Sequence, residues 1–218
     1  MELHRLVGKG FRVLALGAHP DDVEWGAGGT VSHLSTLGAS IRIIAASRAE
    51  ISVANHLSPS IMVEEAAAAA EVLTDDRTTT TIWEYPTRTL SDHRQAILER
   101  YVQLRKEFQP QLVLVPTRED KHQDHQVVQT EAHRAFSHVT ILGYELPWNS
   151  HAFVPGVFIA LGEAAIDRKK RALTAYESQG GRSYMDPTLV ESVARMRGAQ
   201  CGSRYAEAFE AIQVLLRE

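Results

Sequence analysis

The sequence predicts an α/β fold built on a mostly parallel sheet with helices on both faces. Three observations predict it. Up to about residue 136 the chain alternates short apolar runs with longer segments of helical periodicity, the order expected of parallel strands joined by right-handed crossovers. The apolar runs are continuous rather than alternating, as strands covered on both faces must be. Two of them stop abruptly at loops crowded with His and Asp, and in open α/β sheets ligands bind beyond the carboxyl ends of the strands.

Each element has its own reason. Residues 12–18 are short, apolar and bounded by turn residues, which reads as a buried strand. His19-Pro-Asp-Asp22 ends it, because Pro20 has a fixed φ and no N–H to give a helix or a central strand. Gly26, Gly28 and Gly29 are expected to loosen the chain before a helix over 30–37, with Gly38 as its stop. Residues 41–46 form a second apolar strand, followed by a loop with Arg48, Glu50 and Asn55. A helix opens at Ser58-Pro59 or Ser60 and runs through an alanine stretch to about Leu73. The β-branched and aromatic segment 78–85 is a third strand, ended by Pro86. Ile97, Leu98, Tyr101, Leu104 and Phe108 recur at helical spacing within a long helix over 90–108. Residues 112–116 are a fourth apolar strand, residues 117–125 a polar loop, and 126–136 the next helix. Strands are expected at 141–145 and 157–161, around the turn Pro147-Trp-Asn-Ser150, and helices at 164–176 and 189–196. The segment 206–216 fits either a helix or an edge strand. No repeat or linker is visible, so residues 1–218 are expected to form a single domain.

Composition removes several function classes. The net charge is −4 and no basic stripe is present, so nucleic acid is not an expected partner. Cys201 is the only cysteine, which excludes an internal disulfide framework and a cysteine-based zinc knuckle. The first residues lack the long apolar stretch of a signal peptide, and no window reaches the length of a membrane span, so a cytoplasmic protein is expected. A receiver-like signalling domain also puts an acidic pair after its first strand, but the phosphoacceptor aspartate and the later lysine are missing after the other strands. The glycines do not make G-x-G-x-x-G, and two carboxylates stand where a pyrophosphate needs N–H donors, which argues against a nucleotide-binding loop.

The chemistry concentrates in the two polar loops. Between them they offer His19, Asp21, Asp22, His122, Asp124 and His125. A hydrolytic zinc site takes three protein ligands from His and Asp/Glu and keeps a position for water. A further carboxylate can carry the proton, and a histidine off the metal can stabilise an oxyanion. The loops hold a candidate for each role. Either alone has a plainer explanation: His-Pro-Asp-Asp as a capped turn, His-x-Asp-His as a charged helix start. Both together, each directly after a buried strand, point to a metal. Glu24 is a further acid, beside the pair or simply favoured by the helix dipole. The seven remaining histidines, His4 among them, are assigned to the surface or to structure.

Ala18-His-Pro-Asp-Asp-Val-Glu24 with Gly28-Gly-Thr30, followed by His122-Gln-Asp-His125, resembles the PIG-L / LmbE-like family of zinc-dependent N-deacetylases. The likeness continues in Glu65-Ala-Ala-Ala-Ala-Ala-Glu-Val-Leu73, Ser178-Gln179 and Tyr205-Ala-Glu-Ala-Phe209. The resemblance implies a Rossmann-like fold and removal of acetyl groups from N-acetylated sugars or their conjugates. It implies His19, Asp22 and His125 as ligands of zinc, with iron(II) or cobalt(II) suiting the same set. It implies Asp21 as base and then acid, His122 as oxyanion stabiliser, and Asp124 as the residue orienting a histidine; in the mechanism expected for an acetamide His122 is protonated. Family members often assemble as trimers or hexamers, so a homo-oligomer is compatible with it. Segments at 120–125, 142–149 and 176–184 resemble a branch found with bacterial surface-polysaccharide synthesis.

Substrate contacts are expected from Tyr144, Trp148 and Asn149 after the fifth strand, as an aromatic face and an amide for a sugar. One departure stands out: many family members carry an arginine one turn before the residue matching Glu65, and here that place holds Met62. Arg48, Arg88 and Arg94 are the candidates to replace it.

Overall fold

The structure is a computed structural model and describes residues 7, 10–74 and 78–215. Its centre is a seven-stranded sheet in the order β3-β2-β1-β4-β5-β7-β6. The strands are β1 (Arg12–Gly17), β2 (Ser40–Ala45), β3 (Thr78–Ile82), β4 (Leu112–Pro116), β5 (Thr140–Tyr144), β6 (Val157–Leu161) and β7 (Tyr205–Gln213). β1 to β5 pair in parallel, while β7 runs antiparallel to both β5 and β6. The Rossmann-like, mostly parallel sheet expected from the sequence is therefore the observed one.

The helices are α1 (Asp22–Thr36), α2 (Ile61–Leu73), α3 (Arg94–Phe108), α4 (Gln123–Ala135), α5 (Glu163–Thr174) and α6 (Pro187–Cys201). They cover both faces, because alternate side chains of each strand feed two separate cores. Val13 and Ala15 of β1 join the core under α1, α2, α5 and α6; Leu14 and Leu16 join the one under α3 and α4. Among the described residues, no helix is long and apolar enough to cross a membrane.

The chain leaves β1 toward β2 on one side and returns to β4 on the other. Val13 pairs with Ile41 and with Leu112, and Ala15 with Ile43 and with Leu114. β1 and β4 thus flank a topological switch point, and the crevice past their carboxyl ends is where such sheets bind ligands. Residues 18–22 and 117–125, far apart in sequence, both emerge there.

Four expectations need correcting. The glycines do not loosen a loop; α1 begins at Asp22 and runs through Gly26, Gly28 and Gly29. They serve close packing: a side chain at Gly26 would fall inside the Tyr144 ring, and a Cβ at Gly29 would lie 2.7 Å from Leu161 Cδ1. Similarly, α4 starts at Gln123, so Asp124 and His125 stand on its first turn, and His122 Nδ1 caps it by accepting from Asp124 N–H at 3.2 Å. The ambiguous segment near 206–216 is an interior strand up to Gln213, and β6 is the edge; Leu216 lies outside the described residues. Its Ala/Glu-rich composition suits a helix, but pairing on two sides overrides propensity. α6 also exceeds its expected span: Asp186 accepts from Thr188 N–H at 2.8 Å, and Pro187 occupies the first turn.

Candidate metal centre

The turn after β1 is held in shape by its own carboxylate. Asp22 Oδ2 accepts from the N–H groups of Ala18, at 2.9 Å, and His19, at 2.8 Å. Asp21, between them and α1, adopts φ 93°, a left-handed conformation that costs a non-glycine residue about 1–2 kcal/mol and is kept where function requires it.

His19 Nδ1, Asp22 Oδ2 and His125 Nε2 converge from the two loops. The separations are 3.3 Å between the two imidazole nitrogens, 3.4 Å from His125 to Asp22 and 3.6 Å from His19 to Asp22. A tetrahedral ion with bonds near 2.1 Å has ligand–ligand edges of about 3.4 Å, so the donor set fits a zinc-like ion without rearrangement. The far nitrogens of the imidazoles are equally committed. His19 Nε2 lies 3.1 Å from Asp124 Oδ2, and His125 Nδ1 lies 2.7 Å from Asp120 Oδ2. Such carboxylate–histidine pairs fix the ring and leave the other nitrogen's lone pair for a metal. A second trio, His19, His122 and Asp124, also lies within reach of one ion. It fits less well, because His19 and Asp124 are already hydrogen-bonded partners and His122 Nδ1 is occupied by a backbone N–H.

Asp120 is the residue that sequence reasoning missed. It is buried, and its other oxygen accepts from His122 N–H at 2.8 Å, so one carboxylate orients the His125 ring and shapes the start of α4. The only signal was an acid five residues before a histidine in a post-strand loop. Asp124 stands as expected beside a histidine, and it also accepts from the N–H groups of Arg88, at 2.6 Å, and Leu90, at 3.3 Å. Burial alone would raise its pKa, but the bonds from His19 and Arg88 outweigh burial and hold it below the usual carboxylate range.

The electrostatics around Asp21 run the other way. Burial, then the charges of Asp22 and Glu24, raise its pKa well above that of an ordinary aspartate. Burial likewise lifts Glu24 to about 7. His122 is pushed down to about 4 by burial and by the neighbouring His125 and His19. That direction favours the neutral imidazole over the protonated one expected from the sequence. Since Nδ1 accepts from Asp124 N–H, Nε2 carries the proton and remains a donor.

The expected substrate residues separate. Tyr144 is corrected: it ends β5 rather than sitting in the loop after it, is fully buried, and donates its hydroxyl to Leu16 O at 2.9 Å. Trp148 does lie after β5, half-buried, stacked on Tyr184 at 4.3 Å and edge-on to Trp25. Asn149 is half-buried beside it and accepts Lys121 N–H at its backbone carbonyl. Arg48 is paired with Glu84, and Arg94 with Glu131. Arg88 is left-handed at φ 70° and serves the site through its backbone N–H. Met62 is buried and carries no charge to the cleft.

Fold and site together define a class: an α/β protein with an open two-histidine, one-carboxylate cluster at the switch point of its sheet. More particularly, the chain belongs to the PIG-L family, described as GlcNAc-PI de-N-acetylase, whose model matches residues 14–136. Among solved structures it is similar to the conserved protein TT1542 from Thermus thermophilus, at 25% identity and TM-score 0.79, covering 94% of this chain and 96% of that one. It is similar in fold to GalB, the 4-carboxy-2-hydroxymuconate hydratase from Pseudomonas putida, at 20% identity and TM-score 0.77, covering 95% and 98%. The fold also matches N,N'-diacetylchitobiose deacetylase from Pyrococcus horikoshii, at 21% identity and TM-score 0.77, covering 91% and 82%. A hydratase and a deacetylase on one fold show that the fold alone does not choose the reaction.

Proposed function

We propose that this protein is a zinc-dependent N-deacetylase that hydrolyses the acetamide of an N-acetylated amino sugar or sugar conjugate, acting as one catalytic domain in the cytoplasm. The observation that carries the reading is the trio of donor atoms 3.3–3.6 Å apart with a second, pKa-raised carboxyl next to it in sequence. Membership of the PIG-L family supports the amide as the bond attacked, and the deacetylase among the similar structures agrees with it. The lone cysteine and acidic balance suit the reducing cytoplasm.

A bound zinc ion would supply Lewis acidity and bring the pKa of its water toward neutrality. The remaining work belongs to side chains. Asp21 takes a proton from the attacking water and later gives it to the amide nitrogen, which leaves poorly without one. The new C–O bond forms at the acetyl carbon, the C–N bond breaks, and acetate and a free amine result. A raised pKa suits Asp21 to both halves of that exchange at neutral pH. His122 donates its Nε2 proton to the oxygen that gains negative charge, as a neutral imidazole. Asp124 and Asp120 hold the rings of His19 and His125. Trp148 and Asn149 line the approach for the sugar.

The test is a panel of N-acetylated sugars, free and nucleotide-linked, scored for released acetate by metal-stripped and zinc-loaded protein. Release that needs the metal is expected from at least one sugar. Zinc binding with no acetate from any member would overturn the reading, and release from a non-sugar acetamide alone would make the protein a general amidase.

A further inference from the structure

The rim of the cleft contains a cation that the mechanism does not use. Residues between Ser178 and Tyr184 form a strap whose ends are pinned to different elements. At one end, Glu65 of α2 accepts from Ser178 N–H at 2.8 Å and from Ser178 Oγ–H at 2.6 Å. At the other, Trp25 Nε1–H donates to Tyr184 O at 2.8 Å, which fastens the strap over the first turn of α1, the turn that carries Asp22 and Glu24. Arg182 lies between these pins and is exposed. Its guanidinium points toward the loop after β2, where one nitrogen, Nη2, reaches Ser52 O at 3.4 Å.

That contact is long and uses one of five N–H donors. Among the described residues no carboxylate pairs with Arg182, in contrast to Arg48, Arg94, Arg195, Arg197 and Arg204. The strap nevertheless borders the centre: Tyr184 stacks on Trp148, and Trp25, which holds Tyr184 O, stands on the first turn of α1 with Asp22. An arginine held by its backbone at both sides, with its donors uncommitted, is pre-organised for a ligand rather than for the fold. The planar fork matches anionic oxygens in pairs.

We propose that Arg182 is a substrate-binding residue that anchors a phosphate carried by the amino sugar, and so sets a preference for phosphorylated over neutral N-acetyl sugars. The inference rests on the deacetylase reading above. A ligand phosphate would take the place of the Ser52 carbonyl at the guanidinium.

The experiment compares N-acetylglucosamine with its 1-phosphate and 6-phosphate as substrates of the zinc-loaded protein, and glucosamine with its two phosphates as ligands by calorimetry. The wild type is expected to favour one phosphorylated sugar, the two esters deciding where on the ring the anion sits. Arg182→Ala is expected to lower the ratio of kcat/KM for that ester over the neutral sugar by on the order of tenfold to a hundredfold, with most of the change in KM, and Arg182→Lys to restore part of it. Using the ratio removes any general effect of the charge on Asp21. An unchanged ratio, or no preference in the wild type, overturns the proposal. If no sugar is deacetylated, the deacetylase reading fails instead, and the calorimetric arm still decides this one: amino-sugar phosphate binding that Arg182→Ala leaves intact overturns it, and binding that the substitution weakens tenfold or more upholds it.

Discussion

Two clusters of buried charge lie on either side of α1, and they differ in one respect. Behind the helix, Lys169 Nζ meets Glu207 Oε1 at 2.6 Å, and Arg197 grips Glu145 with two bonds of 2.6 Å. Glu207 also accepts from the N–H groups of Gly29, at 2.9 Å, and Thr30, at 2.7 Å, which ties β7 to the middle of the helix. Every carboxylate there has its cation. In front of the helix, Asp22, Asp120 and Asp124 gather around imidazoles, and Asp21 and Glu24 lie close enough to Asp22 for its charge to act on them. Buried charge by itself therefore does not mark a site. A balanced cluster holds the fold together, whereas an unbalanced one asks for a positive ion and raises the pKa of the acids left without one.

This contrast can be broken at several points. The largest effect is expected from Asp21→Ala: acetate release falls by about 10²–10⁴-fold while zinc content, measured by atomic emission on purified protein, is retained. Turnover near wild type would take Asp21 out of the mechanism. On the balanced side, Glu207→Ala leaves Lys169 buried without a partner and should cost about 3–5 kcal/mol of stability in denaturant titration. Asp22→Ala is expected to abolish tight zinc binding, and its cost to the metal-free fold is the balance of relieved repulsion among acids against the lost bonds from Ala18 and His19 N–H, about 1–3 kcal/mol in denaturant titration.

Glu24 sharpens the comparison through pH. Its folded pKa of about 7 lies above the ordinary 4.5, so the folded state binds more protons between those values and stability falls as pH rises through that window. Glu24→Gln should therefore stabilise the metal-free protein at pH 8 by up to roughly 3 kcal/mol and change little at pH 4. Equal effects at both pH values would show that the carboxyl is not strained by its surroundings. The smallest effect is expected at the second layer: Asp120→Asn loses the charge and keeps one acceptor where two are used, by His122 N–H and His125, and zinc affinity should drop about 10–100-fold in a competition titration.

The parts of the site that sequence revealed and those it hid follow one division. The candidate ligands His19, Asp22 and His125 lie in or just past the polar segments that follow two apolar strands, so a local pattern of buried run and polar loop was enough to find them. Asp120 lies in one of those loops, yet its role depends on which ring nitrogen it faces. Tyr144 lies inside the expected strand 141–145, and its grouping with the loop residues Trp148 and Asn149 fails because its ring packs inward against Gly26. Gly26 and Gly29 read as chain looseners because the partners they admit, Tyr144 and Leu161, are over a hundred residues away.

The sequence by itself determined the alternation of strands and helices, the parallel half of the sheet, the family and the candidate ligand set. Each rests on periodicity or on motifs a few residues long, and short-range sterics and hydrogen bonding enforce those wherever the chain goes. Only the tertiary structure decided that 205–213 is an interior antiparallel strand, that Glu207 clamps α1, and that the strap carrying Arg182 is pinned to Glu65 and Trp25. Those facts depend on contacts between segments far apart along the chain, where packing and charge balance select the neighbour and no local pattern records the choice.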